Sequence, residues 1–216
     1  MGLAHGSQPL ALTAAYMVMI VVMLASCTFI NLRVLASRKR KLELAQAAAN
    51  ERERAIRDEL TGLHNRRFML EIMHLEGARV QRNHQPLLIA QLDLDHFKHI
   101  NDTHGHQTGD EALQHLASVI RENLRPQDSV ARYGGEEFVI LLPDTDVDLA
   151  TATLVRLQRA LTKRYFLARQ QKLLITFSAG VAELQADEDT ESALDRADKA
   201  MYIAKRSGKN RVISAT

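Results

Sequence analysis

Cysteine is almost absent from this 216-residue sequence, and the lone Cys27 excludes both an internal disulfide and a cysteine-built zinc site. Charge is missing from residues 1–32, which hold no Asp, Glu, Lys or Arg. Glycine and proline are missing from residues 33–57, so nothing there interrupts a helix. Tandem repeats and low-complexity tracts are lacking, and the length suits one domain of ordinary size plus an appendage. A strong excess of basic charge is lacking too. The formal net charge of +2 gives no footprint for nucleic acid, and no such partner is expected.

The charge-free segment is apolar over residues 10–32, LALTAAYMVMIVVMLASCTFINL, which meets the roughly 20 helical residues needed to cross a bilayer core. Arg33, Arg38, Lys39, Arg40 and Lys41 follow it. Basic residues beside a span stay in the cytoplasm. The expectation is a single-pass protein of the inner (cytoplasmic) membrane, with a short tail at 1–9 and everything after the span in the cytoplasm. A lipoprotein-like box at Leu24-Ala25-Ser26-Cys27 is the rival reading. It lacks a basic residue ahead of the apolar run, and the apolar character continues past Cys27. Residues 33–57 are rich in helix formers, and Leu35, Leu42, Ala49 and Ile56 recur at seven-residue steps, which predicts a helical stalk. Arg38, Ala45 and Arg52 at the intervening positions leave a paired coil and a single solvated helix both open.

From residue 58 onward, helical and strand-like patterns alternate. Helices are predicted over 68–82, 110–124 and 150–165, and a last one carries Leu194, Ala197, Met201 and Ala204 before Gly208 ends it. Strands are predicted for LLIAQLDLD after Pro86 and for 173–181, with a hairpin at 128–142. The hairpin holds RYGGEEF at 132–138, where the glycine pair predicts a primed two-residue turn with positive φ at Gly134 and Gly135. Glu136 and Glu137 come next, and strand alternation would send them to opposite faces, leaving one to share a cation with Asp93. Asp93 and Asp95 lie on one face at a strand end, a pairing that suits a hard cation such as Mg²⁺. Acids at strand ends also merely stop strands or cap helices. His96, His99, His104 and His106 crowd one region, but no regular histidine pair accompanies them, which weakens a zinc reading. Lys205 and Lys209 flank Gly208, where they can complement a helix terminus or hold a polyphosphate.

Five segments in order, RDELTGLHNRR at 57–67, DLDHFKHINDTHGHQTGDE at 93–111, RPQDSVARYGGEEF at 125–138, FSAGVA at 177–182 and ADKAMYIAKRSGKNRV at 197–212, closely resemble the motifs of the GGDEF family of diguanylate cyclases. GGEEF is an accepted variant of that family's signature. The resemblance covers about residues 57–212. It implies a catalytic domain at 58–213 of α/β (α+β) class, with a central, mainly antiparallel sheet flanked by helices as in class III nucleotide cyclases and polymerase palms. It also implies an enzyme that condenses two GTP into cyclic di-GMP and two pyrophosphates across a homodimer of half-sites. By that resemblance Asp93, the Leu94 carbonyl and Glu136 would ligate Mg²⁺, or Mn²⁺ in its stead, with two ions per GTP or per pair of half-sites. Glu136 and Glu137 would be the catalytic acids, and Asp95 would support the shell around the metal and nucleotide. Asn101 and Asp110 would hydrogen-bond guanine, with His106 near by. Phe97 and Lys98 would line the phosphate pocket, and Lys205 with Lys209 would hold the β- and γ-phosphates. Lys209 stands where the family often has Arg, so a point charge replaces a bidentate fork. Gly134 and Gly135 would form the turn. Arg125 and Asp128 make an R-x-x-D pair at the spacing of the family's inhibitory site for cyclic di-GMP, although R-P-Q-D also suits an ordinary connector. No residue pattern identifies a regulatory protein partner.

Overall fold

The structure is a computed structural model that describes residues 8–168 and 171–215. The greater part of the tail expected at 1–9 lies outside the described residues. By internal packing the chain divides into residues 1–53 and residues 54–216.

The first unit is helical. Helix α1 (Gln8–Ile56) runs through both the expected span and the expected stalk as one 49-residue element. It is the one helix among the described residues that is long and apolar enough to cross a membrane. Its large apolar side chains, from Leu12 through Leu35, are all exposed.

The second unit is a sheet with helices on both faces. In chain order the elements are β1 (His64–Asn65), α2 (Arg66–Asn83), β2 (Leu87–Leu94), α3 (Phe97–His104), α4 (His106–Asn123), β3 (Ser129–Arg132), β4 (Glu137–Pro143), α5 (Val147–Lys163), β5 (Phe166–Ala168), β6 (Gln171–Leu173), β7 (Phe177–Glu183), α6 (Thr190–Arg206) and β8 (Val212–Ser214). Six strands pair in the order β1-β3-β4-β2-β7-β8, while β5 and β6 form a separate hairpin. The three central pairings are antiparallel and the two edge pairings, β1 with β3 and β7 with β8, are parallel. This is the mainly antiparallel α/β architecture that the resemblance implied.

Strand alternation sorts the core into two layers. Leu88, Ala90, Leu92 and Leu94 pack with α4 and α5 through Leu113, Leu116, Leu154 and Leu157. Leu87 and Ile89 pack on the other face with Met69 and Met73 of α2 and with Ala193 and Leu194 of α6. On that second face the strand continues with Gln91 and Asp93, so β2 changes from apolar to polar as it runs toward its C-terminal end. Helix α6 lies close to the sheet because residue 180 is glycine. A Cβ there would sit 2.0 Å from the Ala197 carbonyl oxygen.

Several expectations change. The segment 173–181 is not one strand: β6 ends at Leu173 and β7 starts at Phe177. Helix α4 begins at His106 rather than at Asp110, and the short α3 precedes it. The β3–β4 loop is not a primed two-residue turn, since Gly134 and Gly135 are not among the glycines of positive φ. Tyr133, Gly134, Gly135 and Glu136 all lie between the strands, and the Tyr133 and Gly134 N–H groups donate to the Glu137 carbonyl at 2.8 and 3.3 Å. A longer loop closes without the left-handed backbone that a two-residue connection demands.

Candidate active site

Strand pairing brings the sequence-predicted acids together at the polar end of β2. Asp93 lies directly opposite Glu137 on β4 and opposite Ser178 on β7. Glu136 belongs to the loop, so the alternation rule does not reach it. Its carbonyl accepts the Leu94 N–H at 3.2 Å. Both glutamates act electrostatically on Asp93. Burial pushes the Asp93 carboxyl up to about 6; the Lys205 ammonium opposes this, and Glu136 and Glu137 reinforce it.

Asp93 is 3% exposed. Its Oδ2 pairs with Lys205 Nζ at 2.6 Å, and its Oδ1 is buried with no hydrogen-bond partner. A buried carboxylate oxygen without a donor can serve as a ligand for a hard cation. The Leu94 and Glu136 groups expected to share that cation stand at the same strand mouth. Among the described residues no three His, Cys, Asp or Glu side chains form a ready metal cage.

Asp95 has a different task from Asp93. It accepts from Thr176 Oγ1 at 2.8 Å, from Ser178 Oγ at 2.7 Å and from the Asn210 N–H at 3.0 Å. The last contact ties the segment after α6 to the end of β2. That segment leaves the helix at Gly208, where φ is +113° and the Lys209 N–H closes on the Ala204 carbonyl at 3.0 Å, a Schellman cap. Lys209 therefore comes to lie beside His96, its Nζ 3.3 and 3.4 Å from the two ring nitrogens. Lys205 faces Asp93 and Lys209 faces His96, both at the same end of the sheet.

Helices α3 and α4 hold the expected guanine contacts. Asn101 Oδ1 is buried and unpartnered. It fits tightly over Gly109, where an added Cβ would stand 1.9 Å from that oxygen. Asp110 and His106 are exposed on α4, Lys98 is exposed on α3, and Phe97 packs at the edge of the core. A cleft of about 510 Å³ borders the acids, lined in part by Glu137, Asp198, Tyr202 and Lys205.

Residues given no role in the sequence reading hold the site in shape. Arg132 donates from Nε and Nη2 to the Gly135 carbonyl at 3.1 and 2.8 Å, and from Nη1 to both carboxylate oxygens of Asp58 at 3.2 Å. Gln91 Nε2 donates to Asp198 Oδ1 at 3.1 Å. These partners are 74 and 107 residues apart in sequence, so no local pattern joins them. Arg125 and Asp128 lie apart from the acids, in the connector between α4 and β3.

Fold and site together define a mixed-sheet α/β domain with a carboxylate cluster and facing lysines at one end of its central strands. A family model described as diguanylate cyclase, GGDEF domain, matches residues 55–211, and the chain belongs to that family. It is 44% identical over 163 residues to diguanylate cyclase DgcP of Pseudomonas aeruginosa, covering 76% of this chain and 24% of that protein. The chain thus spans about a quarter of the length of that curated relative. The coiled coil and GGDEF domain of DgcB from Caulobacter crescentus, solved in complex with c-di-GMP, superimposes with a TM-score of 0.82 at 34% identity, over 86% of this chain and 99% of that one. Diguanylate cyclase SiaD of Pseudomonas aeruginosa, solved with its activator SiaC, gives 0.75 at 34% identity over 97% and 78%.

Proposed function

We propose that the chain is a membrane-anchored diguanylate cyclase, condensing two GTP into cyclic di-GMP and two pyrophosphates. The observation that carries this is the meeting of Asp93 with the GGEEF loop at the mouth of β2 and β4, with one buried Asp93 oxygen unpartnered. Asp93, the Leu94 carbonyl and Glu136 would hold Mg²⁺ or Mn²⁺. When bound, such an ion lowers the pKa of the attacking hydroxyl and neutralises charge on the phosphate.

The chain's own residues do the positioning. Asn101 and Asp110 orient guanine, while Lys98, Lys205 and Lys209 balance the triphosphate. The 3′-oxygen of one GTP forms a bond to the α-phosphorus of the other as the bond to the β-phosphate oxygen breaks, and pyrophosphate leaves. The hydroxyl proton passes to Glu136 or to water, and Glu137 beside it holds the loop. A second attack of the same kind closes the ring. Because each domain binds one GTP, two copies must face each other, and their mutual positioning supplies much of the rate. The exposed apolar length of α1 and the basic residues after it support a membrane span with the domain in the cytoplasm. The DgcB complex makes cyclic di-GMP a ligand to expect here, and the SiaD complex makes a regulatory protein one.

The test is to incubate the full chain in detergent with GTP and Mg²⁺ and to resolve the nucleotides chromatographically. Cyclic di-GMP should accumulate, and Glu136→Gln should lower its rate at least about a hundredfold with the circular dichroism unchanged. No product at protein concentrations that populate the dimer would overturn the reading.

A further inference from the structure

Asp93 and Lys205 differ in their freedom to move. The carboxylate is buried on a strand paired on both sides, whereas the Lys205 side chain is 31% exposed and sits one residue from the end of α6. If their contact opens, the lysine is the partner that leaves. A lysine on its flexible stem is a point charge that exchanges partners readily. The ammonium holds Oδ2 at 2.6 Å, and Oδ1 of the same carboxylate has no partner.

We propose that Lys205 competes with the divalent ion for Asp93, so that the site resists the ion alone and accepts it together with the nucleotide polyphosphate. This rests on the metal role proposed above for Asp93. An ion approaching Asp93 meets an ammonium a few Å away in a partly dry site, where like charges repel strongly. A triphosphate offers that ammonium several oxygens outside the cluster. As Lys205 moves to them, both Asp93 oxygens are released. Nucleotide and ion then raise each other's affinity by the same factor, since the coupling between two binding sites is reciprocal. Glu136 and Glu137, which face Asp93 from the loop and β4, supply the attraction once the ammonium has gone.

The test titrates Mn²⁺ alone into the full chain in detergent, without nucleotide, reading free Mn²⁺ by electron paramagnetic resonance. Lys205→Met should bind the ion about tenfold more tightly than the wild type. Lys205→Arg keeps the charge and should show no gain. Adding Asp93→Asn to Lys205→Met should erase the gain. Equal or weaker binding by Lys205→Met, with binding still dependent on Asp93, would overturn the competition and leave the metal reading intact. A gain that survives Asp93→Asn would overturn both.

Discussion

Asp93 keeps one carboxylate oxygen in an ion pair and the other without a partner, and its titration follows from that burial. A carboxyl whose folded pKa is raised holds its proton more tightly when folded. The advantage to the fold is complete below the ordinary value of 3.8 and is lost as the pH climbs through about 6. Ionised Asp93 is therefore a cost to stability that the proposed cation site would require. Asp93→Asn should raise the melting temperature at about pH 7.5 by a few degrees, roughly 1 kcal/mol after allowance for solvent reaching the site, and the gain should vanish near pH 4. Calorimetry at the two pH values checks it, and a variant less stable at the higher pH would mean that the Lys205 pair outweighs the burial. Gly109 offers a second test at this scale. An alanine Cβ there meets Asn101 Oδ1 at 1.9 Å and Phe97 Cε2 at 3.2 Å, so Gly109→Ala must push Asn101 out of position. The KM for GTP should rise about tenfold, the cost of one imperfect hydrogen bond, with a smaller change in kcat. An unchanged KM would release Asn101 from its proposed guanine role.

Element by element, the site depends on joints that stand between helices and strands. Arg132, the last residue of β3, ties the GGEEF loop through the Gly135 carbonyl to Asp58, two residues past the end of α1. Burial raises the Asp58 carboxyl, but hydrogen bonds from Thr61 and the Arg132 charge outweigh it and hold the group below its usual value. Its contribution is full above 3.8 and lost as the pH falls through the lower folded value. Arg132→Met should cost about 1.5–3 kcal/mol in denaturant unfolding, the range for hydrogen bonds to charged groups, and should lower kcat by loosening the loop. Loss of stability with full turnover would separate the joint from catalysis. Nothing in the sequence joined Arg132 to Asp58, because contacts of long sequence separation leave no local period. Elements with strong periods, such as α2, α5 and β2, were legible, as was the convergence of Asp93 with the hairpin once strand pairing was supposed. The two- and three-residue strands β1, β5 and β8 are shorter than any period can reveal. The loop at 133–136 departs from the expected turn because a glycine pair signals positive φ only where the connection is two residues long. The roles of single residues rested instead on the resemblance to a known family.

At the scale of the whole molecule, the proposed reaction makes its product between two facing domains, and such a product could also hold two domains apart. Arg125 and Asp128 would supply groups for that second task, in the connector between α4 and β3. The Asp128 Oδ2 accepts the Arg125 backbone N–H at 2.8 Å, which is what an ordinary connector between α4 and β3 would do. Yet Asp128 Oδ1 is buried without a hydrogen-bond partner, and the exposed Arg125 guanidinium makes no hydrogen bond or ion pair among the described residues. A turn alone needs neither group. A planar guanidinium forks onto phosphate or guanine acceptors, and a carboxylate oxygen accepts from guanine N–H groups, so the pair matches cyclic di-GMP on both counts. Two copies of the ligand site on separate domains would let bound product cross-link them in an arrangement that separates the half-sites. Arg125→Ala should therefore turn over GTP at the initial rate of the wild type, lose inhibition by added cyclic di-GMP by about tenfold or more in half-inhibitory concentration, and reach a higher final level of product. Progress curves with and without added cyclic di-GMP measure all three quantities. Equal inhibition of the two proteins would leave R-P-Q-D as a turn and move product control to another surface.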